Sequence, residues 1–440
     1  MEQTTIIIAG LGSAGFSALT TVKRINPKAR VVVIDPKEKD IVHPCGLPYA
    51  LEGIVSHEHL SQDIYLNRMN VEKITGTVQL VDAANHKLVV TSGSNEQLVN
   101  FDRAIICTGY KPLVPPIVNI KKYYNNGVYT LSSVHDLLAI KSALHGKQRA
   151  LVVGAGAIGL EMAYALQVNG LQVTVIEAKD VLPNALDSDM AAIVADYCTQ
   201  NNIALALHAA VNTIEKSNNF IAITNDAQYN ADIIIVACGF APNCDWAIAS
   251  SLKTSKGGAI VTDNLQVCPD VYAAGDCIEC WSVIDKKPLP VKLATSAYKQ
   301  GVVAAENGMG GNSVYAGTAG TFVTVIGNLE IAATGFSTDV AKERGFSVIA
   351  GKISATVKPE YFPSNERLTM KVLCDIHGKV IGAQAIGHGA ASRINIVSLA
   401  INKGLTIDDL LQSEMAYCPA VSEVNDILLK ACEFAKRRMK

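Results

Sequence analysis

The sequence predicts an α/β chain built from two doubly wound parallel-sheet units, one inserted in the other, followed by a separate C-terminal α+β unit. Three observations carry this. An apolar run leading into a glycine-rich turn and a helical stretch occurs twice, at Ile6 and at Ala150. A later segment, Val271-Tyr272-Ala273-Ala274-Gly275-Asp276, returns to a strand ending in glycine and a carboxylate. From about Thr318 the pattern changes to alternating strands and two helices, with no glycine fingerprint.

In the first unit, Ile6 to Ala9 read as a buried strand, Gly10-Leu11-Gly12-Ser13-Ala14-Gly15 as the turn and Phe16 to Val22 as a helix. Such glycines let backbone amides approach a pyrophosphate at a helix N-terminus. The next strand, Arg30 to Ile34, ends in Asp35, about twenty residues on, where a carboxylate can hold a ribose hydroxyl pair. Ile105-Ile106-Cys107-Thr108-Gly109 closes the unit, and Lys111 to Pro116, with three prolines, reads as a linker.

The second unit repeats the order. Ala150 to Val153 is its strand, Gly154-Ala155-Gly156-Ala157-Ile158-Gly159 its turn, Leu160 to Val168 its helix, and Gln172 to Ile176 the strand that ends in Glu177. An acidic residue there favours the free 2′-hydroxyl of NADH over the 2′-phosphate of NADPH, while the nearby Lys179 leaves NADPH open. Ile233 to Gly239 closes this unit. Two complete units point to two cofactors facing each other; the bland alternative is a duplication with one silent site. The implied divisions are 1–111 and 244–317 for the first nucleotide domain in two pieces, 112–243 for the inserted one, and 318–440 for the last domain. In that domain Leu368 to Cys374 and Val380 to Ala385 are expected strands, and Ala390 to Lys403 and Val421 to Arg438 expected helices.

At 440 residues the chain has room for two or three cores, and a formal charge of −2 gives no reason to invoke nucleic acid or an anionic membrane. The 11 cysteines lack framework spacing, which suits buried thiols in a reducing compartment. The apolar run at Ile6 is interrupted by glycines within a few residues, so it is expected to be a buried strand and not a signal peptide or a span. Cys277 and Cys280 form a C-x-x-C without a second pair or matching histidines, so no metal site is expected.

Cys45 stands in His43-Pro44-Cys45-Gly46-Leu47-Pro48-Tyr49 with no second cysteine before Cys107 on either side. A local disulfide is impossible, so this sulfur must cycle through a bond to a substrate thiol, a persulfide sulfur or oxygen. A helix beginning near Gly46 is expected to favour its thiolate, and His43 is a further influence or simply an exposed loop histidine.

These motifs resemble the single-cysteine branch of the pyridine nucleotide-disulfide oxidoreductases, which includes coenzyme A disulfide reductase, NADH oxidase, NADH peroxidase and coenzyme A persulfide or polysulfide reductases. The likeness spans nearly the whole chain. It implies two Rossmann-like domains, for FAD and NAD(P)H, and a C-terminal dimerisation domain. FAD would be held by Gly10, Gly12, Ser13, Ala14, Gly15, Asp35, Pro44, Thr108, Gly109, Gly275, Asp276, Leu293, Ala294 and Thr295. NADH would be held by Gly154, Gly156, Ala157, Ile158, Gly159, Glu161, Glu177 and Gly239. Cys45 would be the redox-active sulfur, and Tyr361 and Tyr417 would reach it from the partner subunit of a homodimer to protonate a departing thiolate. Lys23 and Arg24 match part of a basic cluster that receives coenzyme A phosphates.

The chain departs from the family at three places. Ser13 stands where peroxidases and many oxidases carry histidine, Thr21 where arginine is common, and Ala157 where relatives often place an aromatic lid. Cys418, next to Tyr417, would be a resolving thiol in trans or a buried bystander. The resemblance implies an FAD-dependent cytoplasmic enzyme that uses NAD(P)H to reduce coenzyme A disulfide or a related small disulfide, persulfide or polysulfide. An NADH oxidase working through a cysteine sulfenic acid, and a redox-sensing flavoprotein dimer, are the alternatives.

Overall fold

The fold was analysed in a computed structural model, which describes residues 4–363 and 366–439. The first sheet has six strands in the order Gln266–Cys268, Val271–Ala273, Arg103–Ile106, Thr5–Ala9, Arg30–Ile34, Val71–Ile74. All neighbours are parallel except the first pair. Ile6, Ile7 and Ile8 are fully buried because a parallel sheet is covered on both faces, which is why its strands read as unbroken apolar runs. The strands of one sheet thus come from both ends of the chain's first three hundred residues. Helix Ser13–Ile25 lies against Ala294–Gly308, and the two approach closely at Gly301, where a Cβ would sit 2.1 Å from the Ala14 carbonyl oxygen. The Ser17 hydroxyl ties the pair by bonding the Tyr298 carbonyl at 2.8 Å.

The second sheet is parallel, in the order Val128–Tyr129, Ile233–Val236, Arg149–Val153, Gln172–Ile176, Ile203–Ala206. The chain enters and leaves this unit side by side. Tyr110–Pro112, which overlaps the start of the linker expected from Lys111 to Pro116, pairs antiparallel with Phe240–Pro242, and the Tyr110 and Phe240 rings are 4.1 Å apart.

The third sheet is antiparallel, ordered Phe322–Ile326, Leu329–Gly335, Val380–Gly387, Arg367–Cys374, Ile349–Thr356. Helices Ala390–Lys403 and Ile427–Arg438 share its buried core. The final helix begins six residues later than expected from Val421. Asp426 caps it, accepting from the Leu428 amide at 2.9 Å, and also binds Arg393 at 2.8 Å, so the preceding turns cannot be absorbed into the helix. The expected helices of the glycine units are longer in the structure, Ser13–Ile25 and Ala157–Val168, because the glycine turns themselves supply the first helical residues. Among the described residues no helix is long and apolar enough to cross a membrane.

The inserted unit is anchored to the C-terminal sheet by a polar clamp. The Asp187 carboxylate accepts from the Thr338 amide at 2.7 Å and pairs with Lys371 at 2.7 Å, and its own amide donates to Gln384 at 2.8 Å. Lys371 also reaches Asp189 at 2.7 Å, which Lys352 holds at 2.8 Å.

Candidate active site

Both glycine turns have the same internal construction. In the first, Asp35 accepts from the amides of Leu11 at 2.6 Å and Lys37 at 2.8 Å, and pairs with the Lys37 ammonium. In the second, Glu177 accepts from Ala155 and Lys179, each at 2.9 Å. Each acid at the end of a second strand therefore anchors the turn that follows the first.

The glycines divide into two kinds. A Cβ at Gly15 would lie 1.8 Å from the Gly10 carbonyl oxygen, and one at Gly159 would lie 2.0 Å from that of Gly154, so these two allow the helix to pack on its own turn. A Cβ at Gly12 or Gly156 would meet nothing within 4 Å. These glycines border open space at a helix N-terminus, which is the shape a dinucleotide pyrophosphate needs. Gly109 and Gly239, with φ of 69° and 97°, likewise face open space at the ends of their strands. The residues present thus fit two dinucleotides.

The remaining expected flavin contacts gather beside the first turn. The Gly275 amide donates to the buried Gln300 side chain at 2.8 Å, which orders the turn carrying Asp276. Burial raises the Asp276 pKa, and Lys292, whose ammonium bonds the carbonyls of Gly257 at 2.7 Å and Ile278 at 3.0 Å, opposes that rise. Thr108 donates to the Asn243 carbonyl at 2.6 Å, linking the end of one domain to the return from the other. Leu293 caps the helix whose first turn holds Ala294 and Thr295. Ser13 is exposed at the start of its helix, and Ala14 is buried behind it.

A cavity of about 830 Å³ joins the two halves. Its lining includes Pro44, Cys45, Tyr49, Glu161 and Leu293 together with Gly156, Ile158, Glu177, Lys179 and Gly239. Ala157 also lines it, its methyl leaving the passage open.

Cys45 lies in the short 3-10 turn Pro44–Gly46, before the helix Leu47–Glu52. Its sulfur is exposed toward the cavity yet recessed among protein atoms, and that desolvation raises its pKa, with Glu161 and Asp276 adding to the rise. The protein by itself therefore moves Cys45 opposite to the expected stabilisation by a helix N-terminus. A six-residue helix supplies little dipole, and two carboxylates face the thiol.

Glu161 binds two donors on the same oxygen: the Thr324 hydroxyl at 2.5 Å and the Tyr49 hydroxyl at 3.4 Å. Burial raises its pKa and the two donors oppose that. Tyr49 is pushed up to about 12 by burial and by Glu161. Tyr110, also about 12, is raised by burial first and then by Cys45 and Asp276. Sequence reasoning passed over Tyr49, Tyr110, Lys292 and Thr324. Tyr49 had a signal, as the last residue of Cys-Gly-x-Pro-Tyr; the others have none.

A second sulfur, Cys238, also lines the cavity. It donates to the Val153 carbonyl at 3.5 Å and burial raises its pKa to about 11, which makes it an inert thiol at neutral pH. Cys277 and Cys280 are buried in the core, and no group of side chains among the described residues has the makings of a metal site.

Tyr361 and Tyr417 do not line this cavity within one chain. They are exposed, and Tyr417 hydrogen-bonds Tyr361. Cys418 beside them is exposed as well, not buried. Lys23 is not a free cation: its ammonium bonds the carbonyls of Ala29 at 2.9 Å and Asn70 at 3.1 Å, closing the end of its helix onto the next elements. Arg24 is exposed and pairs loosely with Glu306 at 3.6 Å. Of the two expected phosphate ligands, Arg24 alone has its head toward solvent.

Known proteins share this arrangement. A family model described as pyridine nucleotide-disulphide oxidoreductase matches residues 4–301, and the dimerisation domain of that family matches residues 321–427. The chain is 34% identical to a Methanocaldococcus jannaschii protein named NADH oxidase, over 98% of this chain and 99% of that one. It is 30% identical to a CoA-dependent NAD(P)H sulfur oxidoreductase of Pyrococcus furiosus, over 98% of both chains. A solved NAD-dependent persulfide reductase from A. fulgidus superposes with a TM-score of 0.94 at 29% identity, covering 99% of this chain and 83% of that one.

Proposed function

The chain belongs to the pyridine nucleotide-disulphide oxidoreductase family, and we propose that it is an FAD-dependent reductase that takes electrons from NADH and delivers them through Cys45 to a small disulfide or persulfide, coenzyme A linked. The observation that carries this is one exposed sulfur, Cys45, lining the same cavity as the second glycine turn. Bound in the first cradle, the flavin would relay the two electrons of a hydride from nicotinamide to sulfur.

The chain's own residues then act on the substrate. The Cys45 thiolate attacks one sulfur of the acceptor and forms a mixed disulfide, while the other sulfur leaves as a thiolate. A phenol of Tyr361 or Tyr417 from a second copy protonates it. The two electrons of the hydride, with a proton, cleave the mixed disulfide, release the second thiol and regenerate the Cys45 thiolate. Arg24 at the rim is the candidate contact for a substrate phosphate. Eleven cysteines without framework spacing and the use of NADH suit a reducing compartment, and we place the protein in the cytoplasm.

A second reading, reduction of oxygen, draws on Ala157, whose small side chain leaves the passage open. The two are separated by measuring NADH oxidation with coenzyme A disulfide, coenzyme A persulfide or polysulfide under strict anaerobiosis. Saturable turnover that disappears in Cys45→Ser supports the reductase. Turnover that needs oxygen, or a Cys45→Ser enzyme that still reduces the sulfur substrate, overturns it.

A further inference from the structure

We propose that Thr324, a residue of the C-terminal sheet that does not itself line the cavity, is a positioning residue that governs Cys45 by holding the Glu161 carboxylate beside it. The inference rests on the reading of Cys45 as the reacting sulfur.

The geometry joins three parts of the chain. Thr324 lies on the strand Phe322–Ile326 and is buried, 2% exposed. Its neighbours Phe322 and Val323 line the cavity; Thr324 does not. Its hydroxyl binds Oε1 of Glu161, on the second turn of the helix Ala157–Val168, at 2.5 Å. Tyr49, four residues after Cys45, binds the same oxygen at 3.4 Å. Two donors on one oxygen fix the rotamer of the carboxylate, on a side chain that lines the cavity with Cys45.

A hydroxyl donating to a carboxylate favours its charged form, and a fixed negative charge near a thiol disfavours the thiolate. Thr324 thus restrains Cys45 at a distance. The groups that act on Cys45 are Glu161, Asp276 and Tyr110, and Tyr49, Lys292, Glu177 and Lys179 also line its cavity. Of these, Glu161 is the carboxylate whose position depends on a residue from the C-terminal sheet. The restraint gives a physical reason for the C-terminal domain to influence the sulfur beyond any residue supplied by a second copy.

The test is the pH profile of iodoacetamide alkylation at Cys45, read by mass spectrometry of its peptide, on the purified flavin-loaded protein. Thr324→Val should shift the profile to lower pH by about half a unit, roughly threefold in rate on its acid side. Thr324→Ser should keep the wild-type profile, Glu161→Gln should shift it at least as far, and the double variant T324V/E161Q should match Glu161→Gln. Should the valine variant not fold, Thr324→Ala gives the same comparison. A wild-type profile in the valine or alanine variant, or additive shifts in the double variant, overturns the proposal. Failure of the functional reading would show separately, as sulfur reduction persisting in Cys45→Ser.

Discussion

Tyr417 hydrogen-bonds Tyr361 across the surface of the C-terminal domain, bringing together two phenols that are distant in the chain. That bond raises the Tyr417 pKa, which holds the Tyr417 proton more firmly. Replacing either with phenylalanine should slow sulfur reduction by roughly 10²-fold, the usual worth of a positioned proton donor. NADH-dependent reduction of an artificial acceptor should remain. Because both phenols are exposed and outside the Cys45 cavity of their own chain, mixing Cys45→Ser chains with Y361F/Y417F chains should restore activity from two inactive parents. Undiminished sulfur reduction by the Y361F/Y417F protein alone would place the tyrosines outside the reaction, and failed rescue in the mixed dimers would overturn their action in trans.

Gly12→Ala and Gly15→Ala should fail differently. A Cβ at Gly12 enters open space, so the variant should fold with near-normal melting in its apo form and lose flavin, read as the absorbance of the purified protein. A Cβ at Gly15 lies 1.8 Å from the Gly10 carbonyl oxygen, so that variant should lose stability as well. Equal flavin content in the wild type and Gly12→Ala would remove the first cradle from the flavin site.

Glu177 accepts two backbone amides while bordering the cavity. Glu177→Ala should reduce the preference for NADH over NADPH by about 1.5–3 kcal/mol, the range for hydrogen bonds to a charged group. The measurement is the ratio of kcat/KM for the two nucleotides. An unchanged ratio would move nucleotide selection to another part of the cavity.

The Asp187 clamp makes stability depend on pH in a defined window. Burial pushes the Asp187 pKa up, but Lys371 and the two Thr338 donors outweigh it and leave it below the ordinary 3.8. A lowered carboxylate stabilises the fold above its unfolded value, and this is lost as pH falls through the folded value. Lys371 lies above its ordinary 10.5 because Asp187 and Asp189 outweigh its burial. Its contribution is full below 10.5 and is lost as pH rises through the folded value. Asp187→Asn should lower stability at pH 7 by about 2 kcal/mol, less than the 3–5 of a fully orphaned charge because Asp189 still pairs with Lys371. It should also flatten the acid limb of a plot of Tm against pH. A parallel acid limb would show that the clamp does not titrate.

The two glycine turns and their carboxylates were legible because the whole device is local. A strand, a turn and a helix within a few tens of residues must carry their glycines and acid at set offsets, whatever surrounds them. Cys45 was legible for a related reason, since the lack of a second nearby cysteine is a statement about spacing. The helix at Ile427 was misplaced because its start depends on Asp426 meeting Arg393, a contact across the fold. Lys23 looked like a free cation at a helix end, and the Ala29 and Asn70 carbonyls that occupy it come from other elements.

By itself the sequence determined the two glycine turns, their order in the chain and the solitary placing of Cys45, all encoded in short-range steric and charge patterns. Tertiary structure alone decided the electrostatic setting of that sulfur. Thr324, Glu161 and Tyr49 meet from three regions of the chain, and Asp276 and Tyr110 join them from two more. The energy of a charge depends on distance and on exclusion of water, and neither is a property of position along the chain.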